Sequence, residues 1–265
     1  IYLQHNLVED CDNTTFIDTY FARNVAGTNG GAIDWNECAH NGNIYNSTFI
    51  ENIAKSNGGA VFWSGHHGEI ILSNFTNNIA KGELIDQHGN YGDGGAIIWS
   101  GINGTINDCR FIGNEAKFND TYDYGGRGGA IYLQNCTHGN CDNTTFDNVY
   151  FESNVAGTNG GAIDWHEGAH HGIVENGVFI NNTARRNGGA VYWNGFNGTI
   201  KNSRFVDNRA TGENWQYTMP LTMADKVVID ADGSFTKGNI VVLQHSQLPA
   251  ESSISSYVNK LVVLN

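Results

Sequence analysis

Proline is nearly missing from this chain, with two copies in 265 residues. Methionine also occurs twice, and lysine plus arginine number only 14 against 27 acidic residues, for a formal charge of −13. An exterior this acidic repels phosphate backbones and anionic bilayer surfaces, which argues against nucleic acid as a partner. No window approaches 18 consecutive apolar residues, and the first residues lack the basic, apolar, small-residue order of a signal peptide. No segment therefore reads as membrane-spanning. With 40% apolar residues the chain can build a real core, which excludes wholesale disorder and leaves one large domain or two ordinary ones. Glycine and asparagine, 34 and 36 copies, fill the space left by the scarce residue types.

Those two residues recur in a fixed phrase. Gly-Gly-Ala followed by Ile or Val begins at Gly30, Gly58, Gly94, Gly128, Gly160 and Gly188, at spacings of 28, 36, 34, 32 and 28. Interleaved with it, Phe-x-x-Asn-x-Ala begins at Phe21, Phe49, Phe75, Phe111, Phe151, Phe179 and Phe205. Residues 1–83 also align without a gap on 131–213 with 48 identities, so four short repeats make one unit of 130 residues. Ile1 aligns with Ile131, which directly follows Gly128-Gly129-Ala130, so a preceding triplet and a longer parent chain are expected.

Periodicity decides the type of repeat. Between Ala60 and Phe75 no i, i+3, i+4 apolar stripe exists, and Ser-Gly-His-His-Gly interrupts any helix. Runs such as Ala-Val-Phe-Trp, Glu-Ile-Ile-Leu and Asn-Phe-Thr are strand-sized, so three strands and three turns fit about 28 residues. Each such rung leaves backbone donors and acceptors unpaired on both edges, and a rung stacked about 4.8 Å above satisfies them. The expectation is an all-β parallel β-helix of about seven rungs over residues 1–210, in units 1–130 and a partial 131–210. Residues 211–265, where the phrase stops and Pro220 and Pro249 appear, read as irregular capping rungs or the start of a following β domain.

Stacking turns each repeated position into a column. The fifth residue before each Phe is Phe16, Ile44, Ile70, Ile106, Phe146, Val174 or Ile200, an inward apolar file. The second residue before is small: Thr19, Ser47, Ser73, Cys109, Val149, Gly177 and Ser203. Asn24, Asn52, Asn78, Asn114, Asn154, Asn182 and Asn208 close the turns, where an amide bonds to turn backbone and to the next Asn. Third after the triplet stand Trp35, Trp63, Trp99, Leu133, Trp165 and Trp193, read as an internal stack, with exposed sugar-stacking platforms as the alternative. The intervening Asp34, Phe62, Ile98, Tyr132, Asp164 and Tyr192 should face out, and the apolar members Phe62, Ile98, Tyr132 and Tyr192 form a candidate binding strip, or one covered by a neighbour.

The paired phrases, as in Phe49-Ile-Glu-Asn52 followed by Gly58-Gly59-Ala60-Val61, resemble the repeats of chlamydial polymorphic membrane proteins. With the Asn-rich, Lys-poor setting, the chain also resembles adhesin-like surface proteins of methanogenic archaea. The resemblance covers residues 1 to about 210. It implies a right-handed parallel β-helix displayed outside the cell, engaging other cells or glycans, with no catalytic residues to carry over.

His166-Glu167-Gly168-Ala169-His170 has the zincin spacing, but that spacing grips zinc only on a helix, and glycines surround and interrupt it. His40, His66, His67, His138, His166, His170 and His171 all follow the Trp strand, so adjacent rungs could offer a structural divalent cation two or three imidazoles; solvated loop histidines are the alternative. No other cofactor is implied. Asp34 and Asp164 stand four rungs apart, about 19 Å, too far to cooperate as the paired acids of a glycosidase or lyase. Five cysteines suggest Cys136–Cys141 within one loop, Cys11–Cys38 between neighbouring rungs, and Cys109 as a buried thiol, the alternative being five reduced thiols. Nine Asn-x-Ser/Thr sequons, the first three beginning at Asn13, Asn46 and Asn74, could carry glycan, although Asn and Thr are abundant enough to produce such triplets by accident.

The inserts Lys81–Asp93 and Lys117–Arg127 interrupt the regular rungs, and loops on a rigid scaffold are where recognition resides, with Tyr91, Tyr122 and Tyr124 as aromatic anchors. The reading is a non-enzymatic, extracellular cell-surface adhesin or spacer that contacts cells or glycans. The alternatives are a carbohydrate-active β-helix enzyme and an architectural wall component that self-associates end to end.

Overall fold

The computed structural model describes residues 1–3, 11–35, 39–83, 91–120, 124–134, 142–166, 168–195, 197–211, 228–230 and 240–242. Among them there is no helix. The chain winds as a parallel β-helix whose rungs add one strand each to four parallel sheets, two of eight strands and two of seven. One rung runs Asn43–Tyr45, Thr48–Ile50, Ile53–Ala54 and Val61–Trp63. These belong in turn to what we term the isoleucine, phenylalanine, alanine and tryptophan sheets. Register is kept column by column: Ile44 pairs with Ile70, Phe49 with Phe75, Ala54 with Ala80 and Trp63 with Trp99. Past the repeats, Val228–Asp230 pairs with Thr199–Lys201, and Ile240–Val242 with Val191–Trp193, both parallel.

Each rung therefore carries four strands where three are expected from the sequence. The fourth, such as Ile53–Ala54, is only two residues long and directly follows a turn Asn, so it never forms a strand-sized apolar run.

Composition follows from the corners. A rung turns four times through a left-handed residue; in the second rung these are Asn41, Asn46, Glu51 and Gly58, at φ 53°, 45°, 54° and 62°. Gly and Asn tolerate that region best among L-residue chains, so a solenoid with four such corners per rung consumes them in quantity.

The core is a set of files. The Phe rings from Phe21 to Phe205 stack in six successive pairs, with Phe49 and Phe75 at 4.6 Å between centroids and 3° between planes. The Asn file lies beside them: Asn52 Nδ2 donates to Asn78 Oδ1 (2.9 Å) and to the Phe21 carbonyl (3.0 Å), and its backbone N–H also donates to Asn78 Oδ1 (3.0 Å). At about 1 kcal/mol per net hydrogen bond, and more where an orphan would be buried, this file contributes as much specificity as stability. In the small column, Ser47 N–H donates to Ser73 Oγ (3.1 Å) and Ser73 N–H to Cys109 Sγ (3.4 Å). Cys109 is a buried thiol that burial pushes up to about 12.

Trp35, Trp63, Trp99, Trp165 and Trp193 are internal and fully buried, and Trp35 stacks on Trp63 at 4.1 Å. The indole N–H groups of Trp63 and Trp99 donate to loop carbonyls, Gly65 (2.9 Å) and Gly101 (2.9 Å), whereas Trp193 Nε1 meets no hydrogen-bond partner among the described residues. Each ring lies flat against a glycine that opens the next strand: a Cβ on Gly104 would meet Trp99 Cζ2 at 2.2 Å. Gly42, Gly68, Gly172 and Gly198 stand in the same relation to Trp35, Trp63, Trp165 and Trp193. Where the file holds Leu3 or Leu133 instead, the facing residue is Thr14 or Thr144. Large ring and glycine, or small leucine and threonine, fill one volume.

Candidate functional site

Pleat alternation sends Ile33 and Trp35 inward and Asp34 outward, so the predicted strip does lie on the outer face of the tryptophan sheet. Its exposure differs from expectation. Phe62 and Tyr192 are half-buried, but Ile98 and Tyr132, expected to face solvent, are buried, as is Asp164. Tyr132 is covered by Arg127, at the end of the second insert.

The fastening is ionic and aromatic. Arg127 donates through Nη2 (2.7 Å) and Nε (3.1 Å) to Asp93 Oδ2, and its backbone N–H donates to Asp93 Oδ1 (2.8 Å). Its guanidinium lies 4.4 Å from the Tyr132 ring centroid and 5.7 Å from that of Tyr91. Burial pushes the Asp93 carboxyl up, and Arg127, which keeps its proton, opposes that push. Asp164, paired with Tyr132 across the rungs, is raised well above the ordinary carboxylate range, chiefly by burial, and its Oδ2 meets no hydrogen-bond partner among the described residues. Two carboxyls and an arginine thus meet here although Asp34 and Asp164 stand apart. Tyr132, Asp93 and Asp164 are buried, and the Arg127–Asp93 pair clasps the residue before one Gly-Gly-Ala triplet to the residue before the next.

Sequence reasoning missed this clasp. The signal was present: the residue before each triplet is Asn29, Asn57, Asp93, Arg127, Asn159 or Asn187, so the ion pair occupies two steps of an amide column. Asn187 Nδ2 donating to Asn159 Oδ1 (3.1 Å) is the amide version of the same contact.

The second insert forms a hairpin, Phe118–Asn119 antiparallel to Tyr124–Gly125. The Phe118 ring lies beneath Arg185 (4.5 Å) and Arg186 (5.1 Å), and Arg185 Nη1 donates to Asp120 Oδ1 (3.1 Å). Asn119 Nδ2 donates to the Gly82 carbonyl (2.8 Å) and Gly126 N–H to the Tyr91 carbonyl (2.9 Å), which ties the two inserts together. Of the predicted anchors, Tyr91 is exposed, Tyr124 enters through its backbone, and Tyr122 lies outside the described residues.

The histidines line one edge, as their positions require. His40 and His66 stack at 4.9 Å, His40 Nδ1 accepts the His66 N–H (3.0 Å) and His66 Nδ1 accepts the Ile102 N–H (3.2 Å). Their Nδ1 atoms are thus spent on the scaffold. His67 and His171 sit exposed at left-handed corners, and His170 is buried, its pKa lowered chiefly by that burial. His166 approaches Tyr132 edge-on at 5.9 Å, and Ala169 N–H closes a turn onto the His166 carbonyl (3.0 Å) in place of the helix that zinc would need. Among the described residues no three His, Cys, Asp or Glu side chains converge on a metal position. Cys38, Cys136 and Cys141 lie outside the described residues, and with them both predicted disulfides, as does His138.

Three stretches, residues 46–62, 148–164 and 176–192, match the model of the Chlamydia polymorphic membrane protein repeat. Each begins at the left-handed Asn before a Phe strand and ends on the outer residue of the next tryptophan-sheet strand. No curated protein matches the chain.

Proposed function

We propose that this chain is a non-enzymatic module of a cell-surface protein, a rigid β-solenoid spacer that carries its recognition loops sideways. The observation that carries the reading is the clasp: Asp93, Arg127 and Tyr132 hold two inserts in one orientation on an otherwise regular stack, and Tyr91 stays exposed at their junction. Loops fixed on a stiff support suit ligand contact at low ordering cost. The matches to polymorphic membrane protein repeats support a surface setting. The adhesive ligand is then a glycan or protein on an opposing cell.

The test is a binding assay on whole cells and on a glycan array, followed by product analysis of every bound glycan. Binding that Tyr91→Ala weakens, with glycans recovered intact, is expected. Shortened or unsaturated products would replace this reading with a carbohydrate-active enzyme.

A further inference from the structure

The internal duplication acts as a control on the surface. Units 1–83 and 131–213 share their ladder positions, so an outward residue that differs between them is not dictated by the fold. Consider the corner where the isoleucine and phenylalanine sheets meet. In the second unit it is polar and self-satisfied. Lys201 Nζ lies 2.7 Å from Glu175 Oε2, Asn202 Nδ2 donates to Glu175 Oε1 (3.4 Å), and Asn176 Nδ2 donates to Asp147 Oδ1 (2.8 Å).

At the positions of Asp147, Glu175, Lys201 and Asn202 the first unit has Ile17, Tyr45, Ile71 and Leu72. Register stacks Ile17 on Tyr45 and Tyr45 on Ile71, and Ile17, Tyr45 and Leu72 remain 58%, 43% and 42% exposed. Across the corner Tyr20 is 65% exposed. Its counterpart Tyr150 is instead covered by Arg110 at 4.3 Å and donates to Glu152 Oε2 (2.9 Å).

Leu72 adds an independent observation. It occupies a left-handed corner at φ 55°, where the other rungs place Asp18, Asn46, Asp108, Asn148, Asn176 and Asn202. A leucine gains nothing from that backbone, and an exposed aliphatic side chain kept where the backbone penalises it points to a role outside the fold.

We infer that this apolar strip on the first three rungs is a docking face for a protein partner whose aliphatic patch is rimmed by lysine and arginine. Aliphatic Ile17, Ile71 and Leu72 offer no hydrogen bonds to a sugar, which favours protein over glycan at this face. The exposed charged residues at the corner, Asp18 and Glu69, are acidic, and the whole chain carries −13. Complementarity therefore selects a basic rim, and a second copy of the chain would bring like charges together.

The test uses a synthetic amphipathic peptide of leucine and lysine, titrated into the full isotope-labelled chain and followed by amide chemical shifts. Shifts centred on Ile17, Tyr45, Ile71 and Leu72 are expected. The swap Ile17→Asp, Tyr45→Glu, Ile71→Lys, Leu72→Asn installs the second unit's own residues, so the fold tolerates it, and it should weaken binding about tenfold or more. The reverse swap in the second unit should create a second site. Equal shifts on both units, binding that survives the swap, or equal affinity for a leucine and glutamate peptide would overturn the proposal. So would a dimer in sedimentation that the swap dissolves, since the occupant is then a second copy.

Discussion

Exchanging Trp99 for Leu and Gly104 for Thr should cost far less together than the two changes cost apart. A Cβ on Gly104 would sit 2.2 Å from Trp99 Cζ2, against an ordinary carbon contact of about 3.5–4.0 Å, so Gly104→Thr alone must displace the ring. Overpacking of that kind costs about 3 kcal/mol. Trp99→Leu alone removes a ring stacked 4.9 Å from Trp63 and leaves a void, costing roughly 2–3 kcal/mol. Independent effects would therefore sum to about 5–6 kcal/mol. The next rung already holds the combination as Leu133 and Thr144, so the double variant should lose only about 2–3 kcal/mol, a coupling of about 3 kcal/mol. Native-state hydrogen exchange at the amides of these rungs is the suitable assay, because a solenoid opens by segments and not in one step. Losses that add to within about 0.5 kcal/mol would refute the shared-volume reasoning.

Asn78→Ala removes the acceptor of the Asn52 side-chain and backbone bonds and the donor to the Phe49 carbonyl, and should cost about 3 kcal/mol, read as lost protection of the Asn52 amide. Arg127→Ala strands the buried Asp93 carboxylate; about 3–5 kcal/mol of local stability should go, with faster exchange at Gly126, and Asp93→Asn in the same background should recover part of it. Leu72→Asn should stabilise by about 1 kcal/mol in thermal melts, through relief of the left-handed backbone. Burial raises Asp34 to about 6 from its ordinary 3.8. A carboxyl raised on folding contributes stability that is whole in acid and is lost as pH climbs through the folded value, so Asp34→Asn should flatten the decline between pH 4 and about 6. A melt series across that range that is identical in wild type and variant would contradict the assignment.

What the amino-acid sequence makes legible is whatever repeats. Phe49, Asn52 and Trp63 recur in rung after rung, so parity and spacing alone place them in the files where they are found. The alanine strand escaped because two residues carry no periodicity, and the Trp–Gly and Leu–Thr pairing escaped because its partners are separated by a loop of variable length. Ile98 and Tyr132 were misplaced for a different reason. Alternation tells which way a side chain leaves the sheet, but the Arg127 that covers Tyr132 occurs once in its column, and a contact made once leaves no trace in a pattern of repeats.

Parallel stacking also has a mechanical meaning. The backbone bonds between rungs point along the axis of the stack, and each interface between adjacent rungs spans four sheets plus the asparagine file. A tether pulling on both ends of such a column strains those bonds lengthwise and all at once, so parting one rung from the next demands their concerted rupture. An object built this way holds its length under drag and yields in whole turns.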